Sequence, residues 1–141
     1  MGSMHSIHKI SFEDIIDTVL KNKHLYLLIN TLPPTEQECL IINTLNAQTE
    51  ESIMNQLIST SKTHHIIIYG RNANDPTIIR KYEQLTKFGF NNVYVYPGGL
   101  FEWLLLQETY GSDTFPTTSK CKDVYQYRAY KSLNTNLITN F

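Results

Sequence analysis

The sequence predicts an α/β fold, with a mainly parallel sheet of about five strands and helices on both faces of the sheet. Short apolar runs alternate along the chain with amphipathic stretches of helical period, which is the order of elements in parallel sheets. The run His65–Tyr69 is largely apolar and β-branched, and such runs are typical of strands that are buried on both faces. Right-handed crossovers place the connecting helices on both sides. We therefore expect His65–Tyr69 to be a central strand.

The first half of the chain contains three predicted strands and two predicted helices. Ser11 and Asp14 have the spacing of a capping box, and the apolar residues that follow recur at helical spacing. Thr49 is expected to cap the second helix. The predicted strands are Ile7–Ile10, His24–Asn30 and Cys39–Ile42.

The second half repeats the unit of strand, helix and strand. Asp75 as N-cap and Pro76 at the first helical position predict the start of a helix. Gly89 suits the C-terminal end of that helix. Asn92–Tyr96 is the next predicted strand, and a last helix follows the glycine pair and ends near Gly111.

The composition restricts the class of protein. A length of 141 residues suits one domain with a core, and 41% hydrophobic with 18% charged residues indicates a globular chain. The formal net charge is −1, so electrostatics gives no reason to expect nucleic acid or an anionic membrane as partner. No apolar run approaches the roughly 18 residues of a membrane span. Two cysteines make no disulfide framework, which favours a reducing, intracellular and cytoplasmic location.

Three segments are expected along the chain. Met1–Ser3 has the sequence of a cloning remnant, with the native start at Met4. The α/β domain is expected over residues 4–111. Residues 112–141 are expected to be a C-terminal extension that packs back on the domain, because they lack a regular pattern but contain several aromatic side chains.

The loop after the central strand is the candidate site, because ligands of parallel sheets usually bind at the carboxyl ends of strands. Its residues are Gly70, Arg71, Asn72, Ala73, Asn74 and Asp75. Arg71 could attract an anion, but we expect its side chain to face solvent.

Four short motifs follow this loop in a fixed order. They are Gly89-Phe90, Asn92-Val93-Tyr94, Gly98-Gly99 and Trp103. In this order the chain resembles the rhodanese-like superfamily, which includes single-domain sulfurtransferases and the catalytic domain of dual-specificity cell-cycle phosphatases. The resemblance covers about Ile7 to Gly111 and implies the rhodanese fold.

Polar positions upstream depart from the family pattern. Where the family has Asp-x-Arg after a strand, this chain has Asn30 in place of the Asp and Leu32 in place of the Arg. In the stretch that resembles the family's Gly-His-Ile-x-Gly-Ala-x-Asn, only Ile41 and Asn46 are retained.

The main departure is Gly70, which takes the position of the catalytic cysteine in the resemblance. The family's chemistry requires a thiolate, which glycine lacks. Pro76 donates no hydrogen bond, and Asp75 brings a negative charge, so weak anion binding is expected. The resemblance thus implies a catalytically inactive domain that acts as a protein-binding or scaffolding module, with no catalytic residue and no cofactor.

Two alternatives remain open. The chain could be a sulfurtransferase or phosphatase relative that uses Cys39 or Cys121, or the loop could be a regulatory pocket for a small anion. Cys39 is expected to be a small buried residue, and no His or acidic partner is fixed beside Cys121. No metal site is expected, since His64 and His65 are adjacent on a strand and point to opposite faces. Glu102 has no second carboxylate near it in the sequence.

Overall fold

The computed structural model describes residues 7–22 and 24–133. The predicted cloning remnant Met1–Ser3 and His5 lie outside the described residues. The elements in chain order are α1 (Phe12–Ile15, continued by a π-helical turn, Ile16–Leu20), β1 (Tyr26–Asn30), a 3-10 turn (Pro34–Glu36), α2 (Ala47–Thr60), β2 (His65–Tyr69), α3 (Thr77–Lys87), β3 (Val93–Val95), α4 (Gly99–Tyr110) and a second 3-10 turn (Val124–Tyr127).

The sheet confirms the predicted fold class. Its order is β1–β2–β3, both pairs are parallel, and β2 lies in the centre. Ile67 pairs with Leu28 on one side and with Tyr94 on the other. The carboxyl ends of β1 and β2 therefore meet at one edge, where Thr31 donates its backbone N–H to the carbonyl of Tyr69 at 3.0 Å.

The sheet has three strands in the described part of the chain, where about five were expected. Lys9 forms a single parallel bridge to Val95, and Thr44 forms one to Leu28. The outer positions of the sheet are thus occupied by chain segments that pair at only one residue. Helices lie on both faces, as expected.

The predicted strand Cys39–Ile42 is wrong, and the reason is its hydrogen-bond partner. Leu40 accepts from the backbone N–H of Thr118 at 2.8 Å, and Ile42 donates to the carbonyl of Pro116 at 3.1 Å. Ile41 and Thr117 form an antiparallel bridge. This segment pairs with residues 116–118 and not with the parallel sheet.

Two apolar clusters cover the two faces of the sheet. Ile67 and Tyr69 face the cluster that contains α1 and α4, with Trp103 fully buried in it. Ile66 and Ile68 face the opposite cluster, which is closed by α2 and α3. Because side chains alternate along a strand, the continuous apolar run of β2 supplies both clusters at once.

Side-chain caps start α1 and α2, and two helices, α2 and α3, start one residue or more from the predicted position. The capping box of Ser11 and Asp14 is present at α1. At α2 the N-cap is Asn46, whose side-chain oxygen accepts from the N–H of Gln48 at 2.7 Å, and Thr49 lies inside the first turn. Asn is as strong a cap as Ser or Asp, so the earlier residue starts the helix. At α3 the N-cap is Pro76.

The hydroxyl of Tyr69 holds the segment after residue 39 against the sheet. Tyr69 is fully buried. It accepts from the backbone N–H of Ile41 at 3.1 Å and shares a hydrogen bond of 2.8 Å with the hydroxyl of Thr44. Burial raises the pKa of the Tyr69 phenol well above its usual value, so the hydroxyl keeps its proton.

We predict that Tyr69→Phe lowers the free energy of unfolding by about 1–3 kcal/mol, because the buried N–H of Ile41 loses its acceptor. Urea unfolding, followed by the fluorescence of Trp103, measures the change. The matched control is Tyr110→Phe on α4, where the tyrosine is 67% exposed and a change within about 0.5 kcal/mol is expected. Equal costs for the two substitutions would contradict the role given to Tyr69.

Candidate functional site

The loop after β2 lies between the turn that follows β1 and the start of α4. The carbonyl of Gly70 accepts from the N–H of Leu100 at 2.9 Å, and the carbonyl of Arg71 accepts from Phe101 at 2.9 Å. The N-terminal amides of α4 are thereby directed at this loop. Helix N-termini are suited to anions, but these two donors are used by backbone carbonyls.

The space above Gly70 is occupied by side chains. A Cβ atom at this position would lie 2.5 Å from Asp75 Oδ2, 2.7 Å from Thr31 Oγ1 and 2.9 Å from Ile78 Cγ1. All three distances are shorter than normal van der Waals contact. The constraint on Gly70 is therefore one of space, and a residue with any side chain requires these three neighbouring side chains to shift.

The carboxylate of Asp75 provides most of this constraint. Its Oδ2 accepts from the backbone N–H of Arg71 at 3.0 Å, while Oδ1 accepts from the N–H and the hydroxyl of Thr77 at 3.0 and 2.6 Å. The Thr77 hydroxyl is also 2.8 Å from that of Thr31. The carboxylate thus binds the amide of Arg71 and the first turn of α3, where an external anion would otherwise bind.

Asn72 uses two further amides of the loop. Its side-chain oxygen accepts from the N–H of Asn74 at 2.9 Å, and its carbonyl accepts from the N–H of Asp75 at 3.2 Å. Asn72 is buried, and its amide nitrogen donates to the carbonyl of Tyr127 at 2.8 Å. Three of the loop amides, those of Arg71, Asn74 and Asp75, therefore have acceptors within the protein.

The side chain of Arg71 does not face solvent freely, which corrects the expectation from sequence. It is 25% exposed and forms an ion pair with Glu36, from the turn after β1. Its Nη1 donates to the carbonyl of Gln126 at 2.8 Å, and the guanidinium lies 5.7 Å from the ring centre of Tyr127. Its Nη2 donates to both carboxylate oxygens of Glu36, so this charge is neutralised internally.

The C-terminal segment covers the outer side of the loop. Tyr127 is buried, and residues 126–127 supply the carbonyls that Arg71 and Asn72 bind. A cavity of about 270 Å³ remains between the loop and this segment. It is lined by Arg71, Asn72, Asn74, Asp75, Pro76, Arg128, Ala129 and Tyr130. Neither cysteine lines it.

The two cysteines lie together at a second cavity, of about 280 Å³, beneath the C-terminal segment. Cys39 is buried, and its thiol donates to the carbonyl of Ser119 at 3.5 Å. Burial raises the pKa of the Cys39 thiol to about 11. Cys121 is partly exposed, and its sulfur accepts from the side-chain amide of Gln126 at 3.8 Å.

Glu102 and His65, the other candidate residues from the sequence, form hydrogen bonds with tyrosine hydroxyls. Glu102 accepts a hydrogen bond of 2.6 Å from the hydroxyl of Tyr96. The pKa of Tyr96 is raised, mainly by burial and secondly by this hydrogen bond. His65 Nδ1 is 3.0 Å from the hydroxyl of Tyr94. In residues 7–22 and 24–133, no group of three or more His, Cys, Asp or Glu is placed to hold a metal ion. No helix in the same ranges is long and apolar enough to cross a membrane.

Sequence reasoning missed the partners of Asn30. The amide groups of Asn30 and Gln37 face each other, at 2.8 and 3.1 Å, and Asn30 also accepts from the N–H of Leu32 at 3.0 Å. An uncharged amide pair thus joins β1 to the following turn. The polar run Thr35–Glu38 was the available signal, but spacing alone does not tell which of its residues turns inward.

Gly99 permits close approach between α4 and the loop. Its φ is +67°, and a Cβ there would lie 2.7 Å from the carbonyl oxygen of Gly70 and 3.0 Å from two backbone atoms of Arg71. We predict that Gly99→Ala lowers the free energy of unfolding by about 2–4 kcal/mol, since it combines left-handed backbone with overlap against backbone.

The matched control for Gly99→Ala is Gly98→Ala, at an ordinary helical φ of −56°. There a Cβ meets only the side chain of Glu102: the carboxylate can rotate away at the expense of one hydrogen bond, worth about 1 kcal/mol, and the Cβ of Glu102, 2.9 Å away, requires a small shift of the first turn. Chemical denaturation compares the two variants. A cost for Gly98→Ala that equals or exceeds that of Gly99→Ala would contradict the close approach.

Comparisons with known proteins agree with this architecture. The model of the family described as rhodanese-like domain matches residues 12–106. No curated protein matches the chain in sequence.

Solved structures provide similar folds at low sequence identity. The crystal structure of the Alr3790 protein of Anabaena sp. has a TM-score of 0.56 and 16% identity, and the match covers 93% of this chain and 87% of that one. The solution structure of the rhodanese-like domain of the same protein has a TM-score of 0.56 and 17% identity, with 92% and 96% covered. A full-length protein from Lactobacillus plantarum has a TM-score of 0.52 and 12% identity, with 70% and 82% covered. At these identities the likeness shows the fold alone.

Proposed function

The chain belongs to the rhodanese-like domain family, and from that premise we propose that it is a catalytically inactive member that acts as a protein-binding or scaffolding module. The observation that carries the proposal is the carboxylate of Asp75, which occupies the space above Gly70 and binds the N–H of Arg71. The resemblance places the catalytic cysteine of the family at this position.

The chemistry implied by the resemblance has no nucleophile here. A thiolate at position 70 would require the space of the Asp75 carboxylate and would share its hydrogen-bond donors. Two negative charges in contact repel by about 4 kcal/mol at an effective dielectric near 20. The loop is therefore better described as closed around the carboxylate of its own Asp75 than as an empty anion-binding site.

The enzyme alternative depends on Cys39 or Cys121. With a pKa of about 11, the Cys39 thiol is ionised in only about one molecule in ten thousand at pH 7, and it is buried. Cys121 is more accessible and keeps this alternative open to experiment. The anion-pocket alternative is opposed at the loop cavity by the ion pair of Arg71 with Glu36 and by the negative charge of Asp75, and it depends on the other cation of the lining, Arg128.

A protein partner is supported by the aromatic side chains beside the loop. Tyr125 and Tyr130 are 63% and 74% exposed, and Tyr130 lines the loop cavity. Exposed aromatic residues supply much of the binding energy at protein interfaces. We place the domain at residues 4–111 and the partner-binding surface on the extension, 112–141. The free thiols of both cysteines favour an intracellular, cytoplasmic location.

We predict no thiosulfate:cyanide sulfurtransferase turnover and no aryl phosphatase turnover above background for the purified chain. The physical reason is the lack of a thiol in the loop. Cys39→Ser and Cys121→Ser serve as controls, and each should give the same background rate. Turnover that disappears in either cysteine variant would replace this proposal by the enzyme alternative.

We predict that Gly70→Cys alone leaves its new thiol with a pKa at or above that of a free cysteine, about 8.5. Asp75→Arg in the same chain should lower that pKa, because repulsion of the thiolate becomes attraction. The pH dependence of alkylation measures it, in a background that carries Cys39→Ser and Cys121→Ser.

Asp75→Asn is the matched control in that series, because it removes the charge and keeps the size of the side chain. Its thiol pKa should lie between those of the other two chains. A pKa well below 8.5 in Gly70→Cys alone would show that the loop still stabilises an anion and would contradict the closed-loop description.

The binding part of the proposal is tested by photocrosslinking from a benzoylphenylalanine introduced at Tyr130. Crosslinked protein partners should appear, and they should be lost when Tyr125→Ala is added. The same probe at Tyr110, which is exposed to a similar extent on α4, is the control. Partners that crosslink equally from both positions would contradict a surface on the extension.

A further inference from the structure

The fold brings together two thiols that are far apart in sequence. The backbone N–H of Thr118 donates to the carbonyl of Leu40, and the N–H of Leu40 donates to the hydroxyl of Thr118. The backbone carbonyl of Glu38 accepts from the hydroxyls of Thr118 and Ser119 at 3.0 and 2.9 Å. This pairing places Cys39 beside the segment that carries Cys121. It belongs neither to the sheet nor to the loop after β2.

Both cysteines line the cavity of about 280 Å³ beneath the C-terminal segment. The Cys39 thiol is bonded to Ser119, and the Cys121 sulfur is bonded to Gln126. Burial and, after it, the neighbouring side chain of Cys121 raise the pKa of the Cys39 thiol. Cys39 is 5% exposed, whereas Cys121 is open to solvent on one side.

We propose that Cys39 and Cys121 form a reversible disulfide when the protein meets a hydroperoxide, and that this bond fastens the C-terminal extension to the domain. The proposal concerns the state of the extension and does not depend on whether the loop after β2 is inactive.

The reaction takes two steps, and the more exposed thiol reacts first. The thiolate of Cys121 attacks one oxygen of hydrogen peroxide, so that an S–O bond forms, the O–O bond breaks and hydroxide leaves as water. The sulfur of Cys39 then attacks the sulfenic acid, the S–S bond forms, and the second hydroxide leaves with the proton of Cys39 as water. Two thiols and one peroxide give one disulfide and two waters.

The environments of the two sulfurs suit these different roles. The raised pKa of Cys39, about 11, and its burial keep it protonated and away from the oxidant. Lys120 and Lys122 flank Cys121 in the sequence and line the same cavity as Glu36, Glu38 and Asp123. Cys39 is therefore the resolving thiol, in the same cavity as the thiol that is oxidised first.

The bond would act on the loop after β2 through the chain that follows Cys121. Gln126 and Tyr127 bind Arg71 and Asn72, so anchoring Cys121 holds these two carbonyls in place. A crosslink that closes so long a loop restricts the unfolded chain strongly. The oxidised form should therefore be more stable than the reduced form, and its extension should open less often.

The test treats the full chain with equimolar hydrogen peroxide, blocks free thiols, and maps the peptides without reduction. We expect a peptide pair linked through Cys39 and Cys121, a rise in Tm of at least about 5 °C, and reversal of both by dithiothreitol. Amide hydrogen exchange over residues 119–130 should slow in the oxidised form.

Two variants make the result decisive. Cys39→Ser should leave a sulfenic acid on Cys121 that dimedone traps, with no rise in Tm, and Cys121→Ser should leave Cys39 unmodified. Oxidation of Cys121 in the unaltered chain without the linked peptide, or disulfides only between molecules, would overturn the proposal. A linked peptide with unchanged Tm and unchanged exchange would overturn the fastening of the extension.

Discussion

The carboxylate of Asp75 is the contact on which the local architecture depends. It joins the amide of Arg71 to the first turn of α3, and through Thr77 it reaches the turn after β1. In a parallel sheet these three segments converge at one edge, where backbone groups at strand ends and helix starts lack partners of their own. One side chain satisfies several of them together. The loop is thus stable without a ligand, which is the property expected of a closed site.

The extension completes the same edge from outside. Residues 116–118 pair with the segment that was expected to be a strand, and Gln126 and Tyr127 bind the loop. The buried side chains of Phe115 and Tyr127 belong to the same apolar cluster as Trp103. Removing this segment would expose apolar surface and leave Arg71 and Asn72 without their carbonyl acceptors. The loop and the extension are therefore parts of one structural unit.

The elements that sequence predicted well are those whose signals are local. The run of β2, the capping box of Ser11 and the apolar faces of the helices each act within a few residues, so period and cap chemistry identify them. The strand at Cys39–Ile42 failed because its backbone partners lie in the extension, and no pattern in the run itself reveals a distant partner. The sheet has three strands and not five because the chain segments at its outer positions, at Lys9 and Thr44, each pair with it at only one residue.

In the candidate loop, too, the sequence predicted the features with local signals and missed the contacts with distant segments. Its place after β2 followed from the βα pattern, and the charge of Asp75 was recognisable in the sequence. The ion pair of Arg71 with Glu36 and the amide pair of Asn30 with Gln37 were not, because each joins segments whose relative position is set by tertiary packing. The sequence therefore predicted a solvent-facing Arg71, whereas in the structure its side chain contacts the turn after β1 and the extension.

The contact between position 70 and Asp75 also bears on how this domain can evolve. Acquiring a cysteine at Gly70 first creates overlap with the carboxylate, whereas changing Asp75 first removes the hydrogen bonds that start α3. Either single substitution gives a less stable chain, and the pair removes the overlap with the carboxylate but not those with Thr31 and Ile78. Mutational paths towards a cysteine at position 70 therefore pass through chains of lower stability, so a single codon change there is disfavoured whatever the domain does.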